Sequence, residues 1–195
     1  MKESYMSIQN EKDIIAFNQE DEWMMDLLNC AKSLNLPDWW ICAGFVRSKI
    51  WDVQHGFDER TPIPDIDVIY YDQSNVEEGV EKNHEEVLRK LLSNVPWSVK
   101  NQARMHVANN SSPYTSSVDA IGRFPETATS LGVKLDEENN VIMTSPHGIQ
   151  DAVNLIVKPT PYFLESKERM LIYEKRVREK NWPLTWYNIG GDNNE

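Results

Sequence analysis

The stretch CAGFVRSKIWDVQHGFDERTPIPDIDVIYYD, residues 42–72, decides how the rest of the chain is read. Near its end, Asp65 and Asp67 stand among Ile66, Val68, Ile69, Tyr70 and Tyr71, a run of good strand formers. Successive residues of a strand point to opposite faces. Both carboxylates therefore share one face, and Ile66, Val68 and Tyr70 share the other. Like charges that close repel, and a purely structural strand gains nothing from them. A divalent cation between them would remove the conflict.

Upstream, Trp39 to Ala43 is short, apolar and bounded by a proline loop and a glycine, and reads as a buried strand. Gly44 opens a helix to His55, with Val46, Ile50 and Val53 on one face and Gly56 as its stop. A loop with two prolines leads to the strand of the aspartates. This order of parts suits nucleoside triphosphate (NTP) chemistry. Gly44 lets backbone amides come close to a phosphate, at a position where glycine would also adopt a positive φ cheaply. The following helix N-terminus adds partial positive charge, and Arg47 can bind phosphate through its planar fork. Asp65 and Asp67 would hold Mg²⁺ or Mn²⁺, a hard cation that completes its shell with substrate phosphates.

Working outward, Ile14, Phe17, Met24, Leu28 and Ala31 recur at helical spacing and predict one helix from Glu11 to Ser33, with Asp21 as an exception on its apolar face. Ser74 and Glu77 form a capping-box pattern that introduces a helix to about Ser93, with Val76, Val80, Val87 and Leu91 inward. Trp97 begins a third strand in the segment 97–107, and SVDAIGRF reads as a short helix. VIMTSPHG and LIVKPTP read as further strands, and Tyr162 to Lys180 as a closing helix with Phe163, Met170, Tyr173 and Val177 on one face. Alternating strands and helices predict an α/β (α+β) fold, a sheet flanked by helices. One domain spans 1–195, with residues 1–10 and 188–195 expected to be flexible.

The bulk properties narrow the function. The formal net charge is −11, which disfavours wrapping a nucleic-acid backbone and makes a nucleic-acid partner unexpected. Cys30 and Cys42 lie in apolar segments and read as free thiols, with no zinc spacing. No run reaches membrane-spanning length and no signal region opens the chain, so the expected location is the reducing cytoplasm.

The motif AGFVRSKIWD…PIPDIDVIYY resembles the opening of the DNA polymerase β-type nucleotidyltransferase superfamily. In form it is most similar to the tRNA CCA-adding and poly(A) polymerase pattern. There a glycine pair precedes x-V-R-D and a D-x-D strand follows. TPIPDIDVIYYD, VKNQARMH, FPETATSLGVKL and KPTP together resemble a small uncharacterised bacterial family of nucleotidyltransferase-like proteins. Gly44 matches the second glycine and Ala43 replaces the first. Val46 and Arg47 match V-R, Ser48 replaces the aspartate, and Asp65 and Asp67 match the metal pair. The resemblance implies a mixed sheet of nucleotidyltransferase type. It also implies Mg²⁺-dependent transfer of a nucleoside monophosphate from an NTP to a hydroxyl of a small-molecule or protein acceptor, with release of pyrophosphate. The superfamily's third carboxylate is missing from SVKNQAR, where Lys100, Asn101 or Gln102 takes the place. Asp119, Glu126 and Asp151 are the candidates to supply it from elsewhere. Without one, the chain would be a non-catalytic nucleotide- or partner-binding member of the same fold.

The remaining polar residues have plainer readings beside functional ones. Arg104 and His106 are either substrate contacts or a solvated strand end. Thr127 and Thr129 are loop ligands or ordinary loop polarity. The mixed charges of Lys158 to Lys180 read as a solvated helix face, and Trp182 and Trp186 as packing for the final segment.

Overall fold

The structure, a computed structural model, describes residues 7–190. The flexibility expected of residues 1–6 and 191–195 concerns positions outside the described residues. Helices α1 (Glu11–Gln19) and α2 (Glu22–Ser33) lead into strand β1 (Trp40–Cys42), helix α3 (Gly44–His55), strand β2 (Ile66–Tyr70), helix α4 (Glu78–Leu91) and strand β3 (Trp97–Asn101). Helices α5 (Gln102–Ala108) and α6 (Ser117–Gly122), strands β4 (Gly132–Leu135) and β5 (Val141–Thr144), and helices α7 (Gln150–Val153), α8 (Pro161–Leu164) and α9 (Lys167–Lys180) follow. No described helix is long and apolar enough to cross a membrane.

The five strands lie in the order β3-β2-β1-β4-β5. Only β2 and β3 run parallel, so the sheet is mixed. The period-two reading of β2 holds. Ile66, Val68 and Tyr70 enter the main core beneath α2, α3 and α4, and Ile69 faces a smaller cluster with Trp40, Cys42 and Ile121. Burying residues of this size is worth about 1.5–3 kcal/mol each and fixes the register of β2.

Several expectations are corrected. The long first helix is two. Asp21 is the cap of α2, accepting from the Met24 amide, and its carboxylate also meets Lys49 and Arg60. Burial raises its pKa, but hydrogen bonds from Arg60 and Lys49 win and bring it to about 2. Ser74 caps no helix; its amide and hydroxyl bond Asp72, and α4 begins at Glu78. The inward face of α4 is also different. Val76, Val87 and Leu91 are exposed, whereas Glu81, Glu85 and Leu88 are buried. The two acids have a backbone task, because Glu81 accepts the Asn101 amide at 2.8 Å and Glu85 the Val99 amide at 3.0 Å. These amides belong to β3, the last strand of the sheet, and unpaired amides buried under a helix need acceptors.

β3 stops at Asn101, whose side chain caps α5, so Arg104 and His106 stand on a helix and not on a strand end. The segment LIVKPTP forms no strand and contributes one isolated bridge, Pro159 to Glu126. β4 was not foreseen, and it pairs with both β1 and β5. The closing helix is interrupted, with Ser166 capping α9. Near the ends, Ile8 and Ile189 are buried in the main core, against the expectation of loose termini for residues 7–10 and 188–190.

Candidate active site

Directly paired residues across a sheet present their side chains on the same face. Cys42, Asp67 and Ser98 form such a row, since Cys42 pairs with Asp67 and Asp67 with Ser98. One step along, Trp40, Ile69 and Lys100 form the next row. Above these rows is a cavity of about 220 Å³. Its walls come from Cys42 and Ala43 at the end of β1, Asp67 and Ile69 of β2, Lys100 of β3, and Gln102, Met105 and Asn109 near α5. Phe124, Pro125, Thr129 and Arg176 of α9 complete it.

Asp67 therefore lies where its spacing placed it. Its pKa is raised, first by burial and then by the charge of Asp65, while Ser98, Arg176 and Lys180 oppose the rise. Asp65 is exposed just before β2. Neither carboxylate forms an ion pair with a described residue within 4.0 Å. Two hard oxygen donors without a direct ion-pair partner among the described residues, one of them half-buried, fit a divalent cation.

The fit carries a prediction about stability. A carboxyl group whose folded pKa lies above its unfolded value binds more protons in the folded state, so stability falls as pH rises through that window. In metal-free buffer, Asp67→Asn is expected to be the more stable protein at pH 7, with the gap closing as pH drops towards the ordinary aspartate value of 3.8. Added Mg²⁺ should stabilise the parent and leave the variant unmoved. Urea denaturation at several pH values reads both effects. Destabilisation of the metal-free variant at pH 7 would reverse the sign and overturn the account.

The turn into α3 differs from expectation by one residue. The positive φ belongs to Ala43, at φ 58° and ψ −122°, and Gly44 is not among the positive-φ residues. A Cβ at Gly44 would meet the nearest Arg47 nitrogen at 3.5 Å and the Ile63 methyl at 3.7 Å, which are ordinary contacts. No side chain caps α3, so its first amides remain available at the pocket wall that Ala43 forms. Gly44→Ala is expected to fold normally. Ala43→Gly is expected to gain about 1 kcal/mol, the relieved strain less the entropy of a freer unfolded chain. Chemical denaturation tests the pair, and a destabilised Ala43→Gly would mean that Ala43 is not strained.

Arg47 is not placed for phosphate. It is only 7% exposed and does not line the cavity. Its guanidinium lies over the rings of Trp51 and Trp182, 4.9 Å from each centroid, and 5.9 Å from that of Trp186. Burial lowers its pKa to about 10, partly offset by the charge of Glu126, so it stays a cation at neutral pH. Cation–π contacts of this kind stabilise a desolvated guanidinium by about 2 kcal/mol or more. Arg47 thus fastens the C-terminal segment to α3, the packing role expected of Trp182 and Trp186.

Each candidate for a third carboxylate is paired with a cation. Asp119 pairs with Arg123, Asp151 with Lys158, and Glu126 with Arg176. Among the described residues, no group of three or more acids, histidines or cysteines is set to hold a metal. Arg104 turns away from the pocket, its Nε and terminal nitrogen each 2.7 Å from Glu81. Lys100, one of the three residues considered for the place of the missing acid, and Arg176, which sequence reasoning did not assign to the site, are the cations of the lining. Lys100 had a usable signal, since it lies on β3 where the acid was sought. Arg176 had none, because its place follows from the packing of α9.

Residues 29–190 match a family model described as nucleotidyltransferase. No curated protein matches the sequence. Among solved structures, one whose NMR study describes a CCA-adding enzyme head domain is 34% identical, with a TM-score of 0.83 over 95% of this chain and 97% of that one. A CCA-adding enzyme in complex with ATP is similar at 14% identity and TM-score 0.51, over 90% of this chain but 43% of its own. The Thermotoga maritima CCA-adding enzyme complexed with tRNA is similar at 14% identity and TM-score 0.50, over 88% of this chain and 42% of its own. The last two likenesses are of fold alone, and this chain spans less than half of those proteins.

Proposed function

Because the chain belongs to a nucleotidyltransferase family, we propose that it transfers a nucleoside monophosphate from an NTP to a hydroxyl and releases pyrophosphate, with Mg²⁺ or Mn²⁺ as cofactor. The observation that carries this reading is the single cavity shared by Asp67, the start of α3, Lys100 and Arg176. Asp67 and Asp65 would hold the cation, which when bound supplies charge neutralisation at the phosphoryl group. The first amides of α3 donate to phosphate oxygens, as free helix N-termini do. Phe124, Pro125, Ile69 and Met105 give apolar surface for a base and keep water from that side of the pocket. Arg47 serves the site indirectly, by holding α3 in place.

A second reading, a nucleotide-binding protein without transfer, is favoured by one observation. Lys100 stands on β3 in the row next to that of Asp67, and no third acid joins Asp65 and Asp67 among the described residues. The net charge of −11 supports a small-molecule or protein acceptor. The fold likeness to a tRNA-bound enzyme makes an RNA 3′ hydroxyl a necessary comparison. Two free cysteines suit a reducing compartment such as the cytoplasm. The test is pyrophosphate release with each NTP, with Mg²⁺ or in EDTA, across sugar, protein and RNA 3′-end acceptors. Metal-dependent release with any acceptor supports transfer. Saturable NTP binding without release supports the second reading.

A further inference from the structure

The cavity contains more unspent donors than a metal–carboxylate site requires. Glu126 is fully buried, and its Oε1 accepts from Arg176 Nε at 2.6 Å. That bond leaves the two terminal nitrogens of the guanidinium fork free to act elsewhere, and Arg176 lines the cavity. A buried carboxylate left without its cation is strongly destabilising, so Glu126 holds Arg176 in one orientation. On another wall, the Lys100 ammonium is ion-paired loosely with Glu81 at 3.7 Å and Glu85 at 4.0 Å, distances that leave its N–H groups without a hydrogen bond. Thr129, only 2% exposed, also lines the cavity, and its buried hydroxyl has no partner. Buried hydroxyls are seldom left unpaired without a reason. The charged residues of the lining are Asp67, Lys100 and Arg176, two cations to one anion.

Fork, ammonium and hydroxyl all seek acceptors, and a ligand dense in anionic oxygens supplies them. We propose that Arg176, held by Glu126 and accompanied by Lys100 and Thr129, is the polyphosphate-binding group of this pocket, and that it grips a polyphosphate chain without any metal ion. This deepens the nucleotide reading above and rests on it for the identity of the natural ligand. Glu126, sought as a metal ligand, becomes a positioning residue that acts through Arg176.

The test is calorimetric titration with inorganic tripolyphosphate in EDTA, beside the Mg²⁺-dependent transfer assay. The parent is expected to bind. Arg176→Lys should bind roughly tenfold more weakly, the loss of a forked charge-assisted contact. Glu126→Gln should weaken binding severalfold when Arg176 is present. Added to Arg176→Gln, it should have no further effect, and that double variant also removes both charges and so preserves the fold. Thr129→Val should weaken binding by a fewfold while its melting temperature holds or rises, a pairing that mere structural damage does not give. Absence of tripolyphosphate binding by the parent, or equal binding by Arg176→Lys, overturns the proposal even if nucleotidyl transfer is observed. Arg176-dependent binding without transfer for any acceptor leaves it standing while transfer fails.

Discussion

Asp67→Asn is expected to reduce nucleotidyl transfer by roughly a thousandfold. A metal held at the reacting phosphoryl group is worth several kcal/mol of transition-state stabilisation, and each 1.4 kcal/mol or so is tenfold in rate. Asparagine keeps the size of the side chain and one oxygen but removes the charge that the row of Cys42, Asp67 and Ser98 presents to the cavity. Asp65, exposed and not part of the cavity lining, should matter less when replaced alone. Initial rates of pyrophosphate release at saturating NTP and Mg²⁺ provide the comparison. If Asp67→Asn works within a few fold of the parent, Asp67 is not the centre of the chemistry and the assignment of the site fails.

The second large effect concerns the fold. Glu81→Ala is expected to cost about 3–5 kcal/mol, the range for breaking a buried ion pair by removing one partner. Glu81 is fully buried and meets both the Asn101 amide and the Arg104 fork. Its loss leaves the guanidinium and an amide of β3 without their acceptor. Domains are stable by about 5–15 kcal/mol, so such a loss unfolds a substantial fraction on mild heating. Glu81→Gln keeps an oxygen for Asn101 and should lose clearly less. Guanidinium denaturation distinguishes the three proteins. A parent-like Glu81→Ala would show that water, or Glu78 beside Arg104, accepts from the groups left behind.

These two acids mark how far the sequence can be read. Asp67 was legible because strand alternation is local and its neighbours were strongly apolar. The span of α3 was legible for the same reason, with Gly56 in the left-handed conformation as its stop. The burial of Glu81 and Glu85 ran against the apolar pattern of α4, because the demand for acceptors came from β3 and not from α4. Asp21 offered a signal, since aspartate caps helices as readily as it interrupts them. The Glu126–Arg176 pair offered none: its members lie 50 residues apart, and its meaning depends on which cavity the guanidinium reaches. Between phosphate contact and structural support, the two roles open to Arg47, the sequence could not choose, because a motif position fixes only where a side chain starts, and the tryptophans that hold it lie on α3 itself and far along the chain.

The two ends of the described chain meet on one helix. The backbone of Ile8 exchanges two hydrogen bonds with Gln54, and the amide of Asn188 bonds the neighbouring His55. Domains whose ends lie close together can be hung inside another polypeptide or rejoined in a new order without pulling the core apart. The tight link between β4 and β5, where Asp136 accepts the amides of Glu138 and Asn140, is exposed and polar. New ends opened there would leave the cavity, its helix and its arginine on one continuous piece of chain.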